Sequence, residues 1–104
     1  MTNLKDRLLL KLRTIDGLED RPSPVSGGTA LFFREKDLAH FHSDNELDLR
    51  LTKKVIAELG LVHPQDSHHH PKRSKGSPWV EIRYQTADDL DRVFDLVKIA
   101  IAQL

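Results

Sequence analysis

The stretch DLAHFHSDNELDLRL, residues 37–51, constrains the fold more than any other part of the chain. Apolar and polar residues alternate on both sides of a polar tetrapeptide, the pattern of two half-buried antiparallel strands joined by a tight turn. Side chains alternate with period two, so the length of the turn decides which face of the sheet each one joins. A two-residue turn, Asp44 and Asn45, places His42 opposite Leu47 and His40 opposite Leu49, with both imidazoles in the leucine layer. A three-residue turn, Asp44 to Glu46, pairs His42 with Asp48, His40 with Arg50 and Phe41 with Leu49. The second arrangement separates polar from apolar. The first leaves imidazoles among leucines, at roughly 1–3 kcal/mol for each unpaired polar group. The pattern therefore predicts the three-residue turn, with His40, His42, Asp48 and Arg50 on the face away from the core.

The rest of the chain supplies a layer to cover the leucines. Leu4, Leu8, Leu12 and Ile15 recur at helical spacing and Leu9 widens the stripe, so residues 4–15 read as an amphipathic helix behind an Asn3 cap. Residues 16–28, DGLEDRPSPVSGG, carry prolines, serines and glycines and read as a connection. Strands are predicted over 29–35, 37–43 and 46–51. Thr52 caps a short helix over 52–60 that Gly60 stops. Residues 61–78 are polar and interrupted by prolines. A fourth strand, WVEIRY, covers 79–84, and Thr86 with Asp89 form a capping-box-like pair at the start of a final helix over 86–104. This order predicts one domain, 1–104, of the two-layer α+β class: a four-stranded, mainly antiparallel sheet with helices on one face, in the order α-β-β-β-α-β-α. The position of the fourth strand is open. If it lies beside the third, Trp79, Glu81 and Arg83 have the parity to join the histidine face.

Composition narrows the function. Sixteen Lys and Arg balance sixteen Asp and Glu, so no positive field steers a polyanion, which argues against a nucleic-acid partner. Cysteine is absent from the sequence, which removes disulfides, thiolate zinc sites and iron–sulfur clusters. No apolar run approaches the ~20 residues that cross a bilayer. The N-terminal apolar stretch lacks a small-residue cleavage site, so the expected location is cytoplasmic. Neither a nucleotide-binding glycine loop nor a flavin phosphate-binding signature is present.

His40-x-His42 on one strand offers two imidazoles to one metal, because residues i and i+2 project the same way. His63, in the following loop, is the third candidate metal ligand. Asp48 can ligate or can orient a ring by accepting its N–H. Arg50 and Trp79, the latter an aromatic wall at a sheet end, complete the expected ligand-binding set of His40, His42, Asp48, Arg50, His63 and Trp79. The plain alternative is two partly solvated histidines hydrogen-bonded to Asp48. His68, His69 and His70, with the basic run at 72–76, read as solvated surface. Ser77 is a nucleophile only if a histidine base reaches it, and no nucleophile elbow surrounds it.

The run GG…FFREKDLAHFHSDNELDLRL…ELGLVHP…SPWVEIRY…ADDLDRVFDL resembles the small bacterial and fungal luciferase domain proteins over residues 27–100. Carried over position by position, the resemblance covers Gly28, His40, His42, Asp48, Gly60, His63 and Trp79. Ala39 stands where the family pattern has a glycine, and Ser77 precedes Pro78 instead of glycine. The resemblance implies no particular reaction. A 104-residue α+β domain is too small for the barrel of flavin-dependent luciferases, so light emission and flavin oxygenase activity are not expected.

These readings converge on a small-ligand or divalent-metal binding domain that uses its His-x-His/Asp strand face. The alternative is a protein–protein interaction module. Phe32, Leu38 and Trp79 would then form an apolar patch, and a homodimer would close over the open sheet face. Enzymatic proton transfer by a histidine–carboxylate pair ranks last, since no substrate is indicated.

Overall fold

The computed structural model describes residues 3–23, 28–62 and 76–104. Its elements are α1 (Leu4–Leu12), β1 (Leu18–Pro22), β2 (Thr29–Phe33), β3 (Lys36–Ser43), β4 (Glu46–Arg50), α2 (Lys53–Glu58), β5 (Trp79–Arg83) and α3 (Ala87–Ala102). The strands form an open sheet in chain order, β1-β2-β3-β4-β5, and every neighbouring pair is antiparallel. The α+β class is as predicted, but the sheet has five strands where the sequence reading counts four. The additional strand is β1. It is an edge strand of five residues, LEDRP, and only Leu18 of them is an aliphatic residue. Pro22, which has no N–H to donate, closes it at the last position. Flanking prolines and glycines make such a segment read as a connection.

Alternation along the central strands sorts the two faces. Ala39 and Phe41 on β3, Leu47 and Leu49 on β4, and Val80 and Ile82 on β5 join Leu8 and Leu12 of α1 and Leu90, Val93 and Val97 of α3 in one apolar cluster. Each of these side chains is at most 3% exposed. Burial on this scale contributes about 1.5–3 kcal/mol for each large aliphatic or aromatic side chain. The helices start where the sequence says they should. Asn3 Oδ1 accepts the Asp6 N–H at 2.8 Å, and Thr52 Oγ1 accepts the Val55 N–H at 3.2 Å. At α3, Thr86 Oγ1 accepts the Asp89 N–H at 3.3 Å, while Asp89 Oδ2 accepts the N–H groups of Gln85 and Thr86 at 2.9 and 3.1 Å.

The β3–β4 turn has two residues, Asp44 and Asn45, because Ser43 pairs with Glu46. The expected three-residue turn is therefore corrected. The register then shifts between Ser43 and Phe41, which leaves His42 as a bulge. Beyond it Phe41 faces Leu47, His40 faces Asp48 and Ala39 faces Leu49. A bulge adds one residue to one strand of a pair. Here it does the work expected of the third turn residue and keeps leucines with Phe41 and Ala39. The pairings expected for His42 with Asp48 and His40 with Arg50 are thus replaced by one in which His40 faces Asp48.

Two backbone features hold the ends of the sheet. A Cβ at Gly28 would lie 2.6 Å from the Phe41 carbonyl oxygen, so only glycine lets β2 begin this close to β3. Thr52 has φ 134°, a region that side chains rarely adopt. It lies where β4 hands over to α2, and the Pro78 carbonyl accepts both the Leu51 and the Thr52 N–H groups, at 2.8 and 3.2 Å. This contact ties the end of β4 to the start of β5.

Candidate functional site

The face of the sheet opposite the apolar cluster carries a row in which every residue but one is ionisable. Cross-strand pairing sets Arg21, Ala30, His40, Asp48 and Glu81 side by side across all five strands. In the neighbouring rows Glu46 lies opposite Arg83, and Arg50 opposite Trp79. The condition set by the sequence parity is met: β5 pairs with β4, and Trp79, Glu81 and Arg83 share the face of Asp48. Asp48 and Glu81, directly opposite one another, are only 4% and 2% exposed. Like charges in this relation destabilise a sheet, and removal from water adds to the cost.

His40 and Trp79 form one half of the face. They stand two strands apart, yet their ring centroids are 5.4 Å apart with planes at 34°. Neighbouring strands lie about 4.8 Å from one another, so both side chains lean over β4 and form a roof above it. His40 Nε2 also meets Asp37 Oδ2 at 3.2 Å, a contact that positions the ring from its own strand.

His42 belongs to the other half. Its place in the bulge brings it to Glu81, with Nδ1 3.9 Å from Glu81 Oε1. One potential ligand atom from each of His42, Glu46 and Glu81 lies within 4.8 Å of the others. Arg83 interleaves with the two carboxylates: its Nε is 3.3 Å from Glu81 Oε2 and 3.9 Å from Glu46 Oε1. Beside this trio a cleft of about 300 Å³ runs along the edge strand. Its lining, among the described residues, includes Gly60, Leu61, Val62, Glu81, Arg83 and Arg92.

The structure thus places His40, His42, Asp48, Arg50 and Trp79 on or beside one face, but groups His40 with Asp37 and Trp79, and His42 with Glu46 and Glu81. His63, the third metal ligand expected from the sequence, lies outside the described residues, as do His68, His69, His70 and residues 72–75. The predicted three-residue turn ends on Glu46, and nothing local marks that residue as a ligand. Glu81 carried a signal, its parity with Trp79. Ser77 Oγ accepts the Trp79 N–H at 3.1 Å and so helps to set the start of β5. Leu38 is fully buried and offers nothing to an exposed apolar patch.

Ionic contacts at the far end of the sheet are separate from these groups. Arg21 holds Glu19 and Glu35, and its hydrogen bond holds the Glu35 carboxyl below its usual range. Tyr84, fully buried in the apolar cluster, is pushed up by burial and by the charges of Asp44 and Glu46, so its hydroxyl stays protonated.

Fold and face together define a small α+β domain: an antiparallel meander with an apolar side under helices and a histidine–carboxylate side beyond. The chain belongs to the Luciferase domain family, whose model matches residues 35–100. That span holds β3, β4, α2, β5 and most of α3, and with them both histidines and every carboxylate of the trio. Comparison with curated proteins and with solved structures gives no match. Among the described residues, no helix is long and apolar enough to cross a membrane.

Proposed function

We propose that this domain binds a divalent cation or a small ligand on the outer face of its sheet, using the histidines of β3 and the carboxylates of β4 and β5. The observation that carries the reading is the burial of Asp48 and Glu81 directly opposite each other, with His40 on one side and His42 on the other. Buried carboxylates with imidazoles at hand are the donor set of a first-row divalent metal. The His40–Trp79 roof and the cleft along β5 give an organic ligand an aromatic wall and room beside the charged groups.

Calorimetric titration with zinc, nickel and manganese tests the cation. The histidine triplet at 68–70 is first replaced by alanines, so that adventitious binding there does not contribute. Saturable binding to this background, lost when His40→Ala/His42→Ala is added, is the expected outcome. Flat titrations of both proteins remove the cation.

A further inference from the structure

Within that cation reading, on which the inference rests, we propose that the metal centre is His42, Glu46 and Glu81, not the His40-x-His42 pair, and that Arg83 is the resident counter-ion that the metal displaces. Three observations lead there. His42 occupies the bulge, and that position carries its ring to Glu81, while His40 is engaged by Asp37 and Trp79. The Glu81 side chain is fully buried and that of His42 is 8% exposed, so these two donors are already withdrawn from water. The Arg83 guanidinium sits between the two carboxylates, where a cation has to be.

Charge favours the exchange. Glu46 and Glu81 both meet the single guanidinium of Arg83. A divalent ion neutralises both carboxylates at once. Geometry agrees. Donors bound to one first-row ion at ~2.1 Å stand about 3–3.5 Å from each other. The trio, now within 4.8 Å, must close by roughly 1–2 Å, which the departure of a guanidinium allows. One imidazole and two carboxylates suit zinc or manganese and leave coordination positions open. Arg83, once released, lines the adjoining cleft together with Arg92. Two guanidiniums beside an open metal position favour a small anion as the co-ligand.

The test uses the full chain, with the 68–70 triplet replaced by alanines, titrated with zinc and with manganese. Far-UV circular dichroism and a thermal melt on each variant confirm folding. Glu81→Gln and His42→Ala are expected to weaken binding about tenfold or more, and His40→Ala to leave it within about threefold. Arg83→Gln is expected to tighten binding several-fold, a result that a structural ion network alone does not produce. Should Arg83→Gln prove unfolded, Arg83→Lys serves, because its compact charge releases the carboxylates more readily than a guanidinium. If the parent binds metal but His40→Ala abolishes binding while Glu81→Gln does not, this assignment fails and the cation reading stands. Weaker binding by a folded Arg83 variant also overturns the exchange. If the parent binds no metal, both fall together.

Discussion

On β4, Leu47 and Leu49 point toward the helices while Asp48 between them points away, and on β5 Val80 and Ile82 flank Glu81 in the same manner. All six side chains are buried. On the apolar face burial and stability go together, since every contact there removes hydrocarbon from water. On the outer face they part company: two carboxylates are desolvated opposite one another, and a pair of well-shaped apolar residues would cost less. Structure that is retained against its own stability is the usual mark of a site. The Arg83 contacts offset part of this cost.

The sharpest way to break the contrast is to cut into each face in turn. Leu49→Ala, in the apolar cluster, is expected to cost about 2–5 kcal/mol, read from the denaturant midpoint. Asp48→Asn keeps the shape of the outer-face residue and removes the charge opposite Glu81. Its loss of stability, read from the same denaturant midpoint, is expected to be smaller than that of Leu49→Ala. A loss comparable to that of Leu49→Ala would mean that the outer face is a second structural core. The smallest effect lies on neither face. The N–H groups of Gln85 and Thr86 hold the Asp89 carboxyl below the usual carboxylate range, and the Arg13 hydrogen bond does the same for Asp20. A carboxylate lowered by folding stabilises above its unfolded value, and that stabilisation is lost as pH falls through the folded one. Asp89→Asn should therefore melt slightly below the wild type near neutrality, and the two melts should converge as the solution is acidified below about pH 4.

Much of this architecture was legible because strong local signals agreed. Leucine alternation marked β4, and the caps at Asn3, Thr52 and Thr86 marked the helix starts. The face of each outer residue also came through, since segregating polar from apolar admits one solution. The mechanism of that segregation did not. A longer turn and a bulge at His42 have the same effect on parity, and nothing in the local sequence distinguishes them. β1 was hidden because an edge strand needs only one partner and tolerates the charges of Glu19, Asp20 and Arg21. The trio of His42, Glu46 and Glu81 was hidden for a third reason. It exists only once the bulge has formed and β5 has docked on β4, two events that no window of the chain contains.

The strand order has one more consequence. The first four strands are joined by connections short enough to zip together one hairpin after another, whereas β5 returns only after residues 51–78. Closing that larger loop costs more entropy, so the β4–β5 seam is expected to form after the hairpins. Glu46 and Glu81 stand on opposite sides of that seam. Any ion that bridges them acts as a clasp on the last join, and grips only a chain that has already completed its sheet.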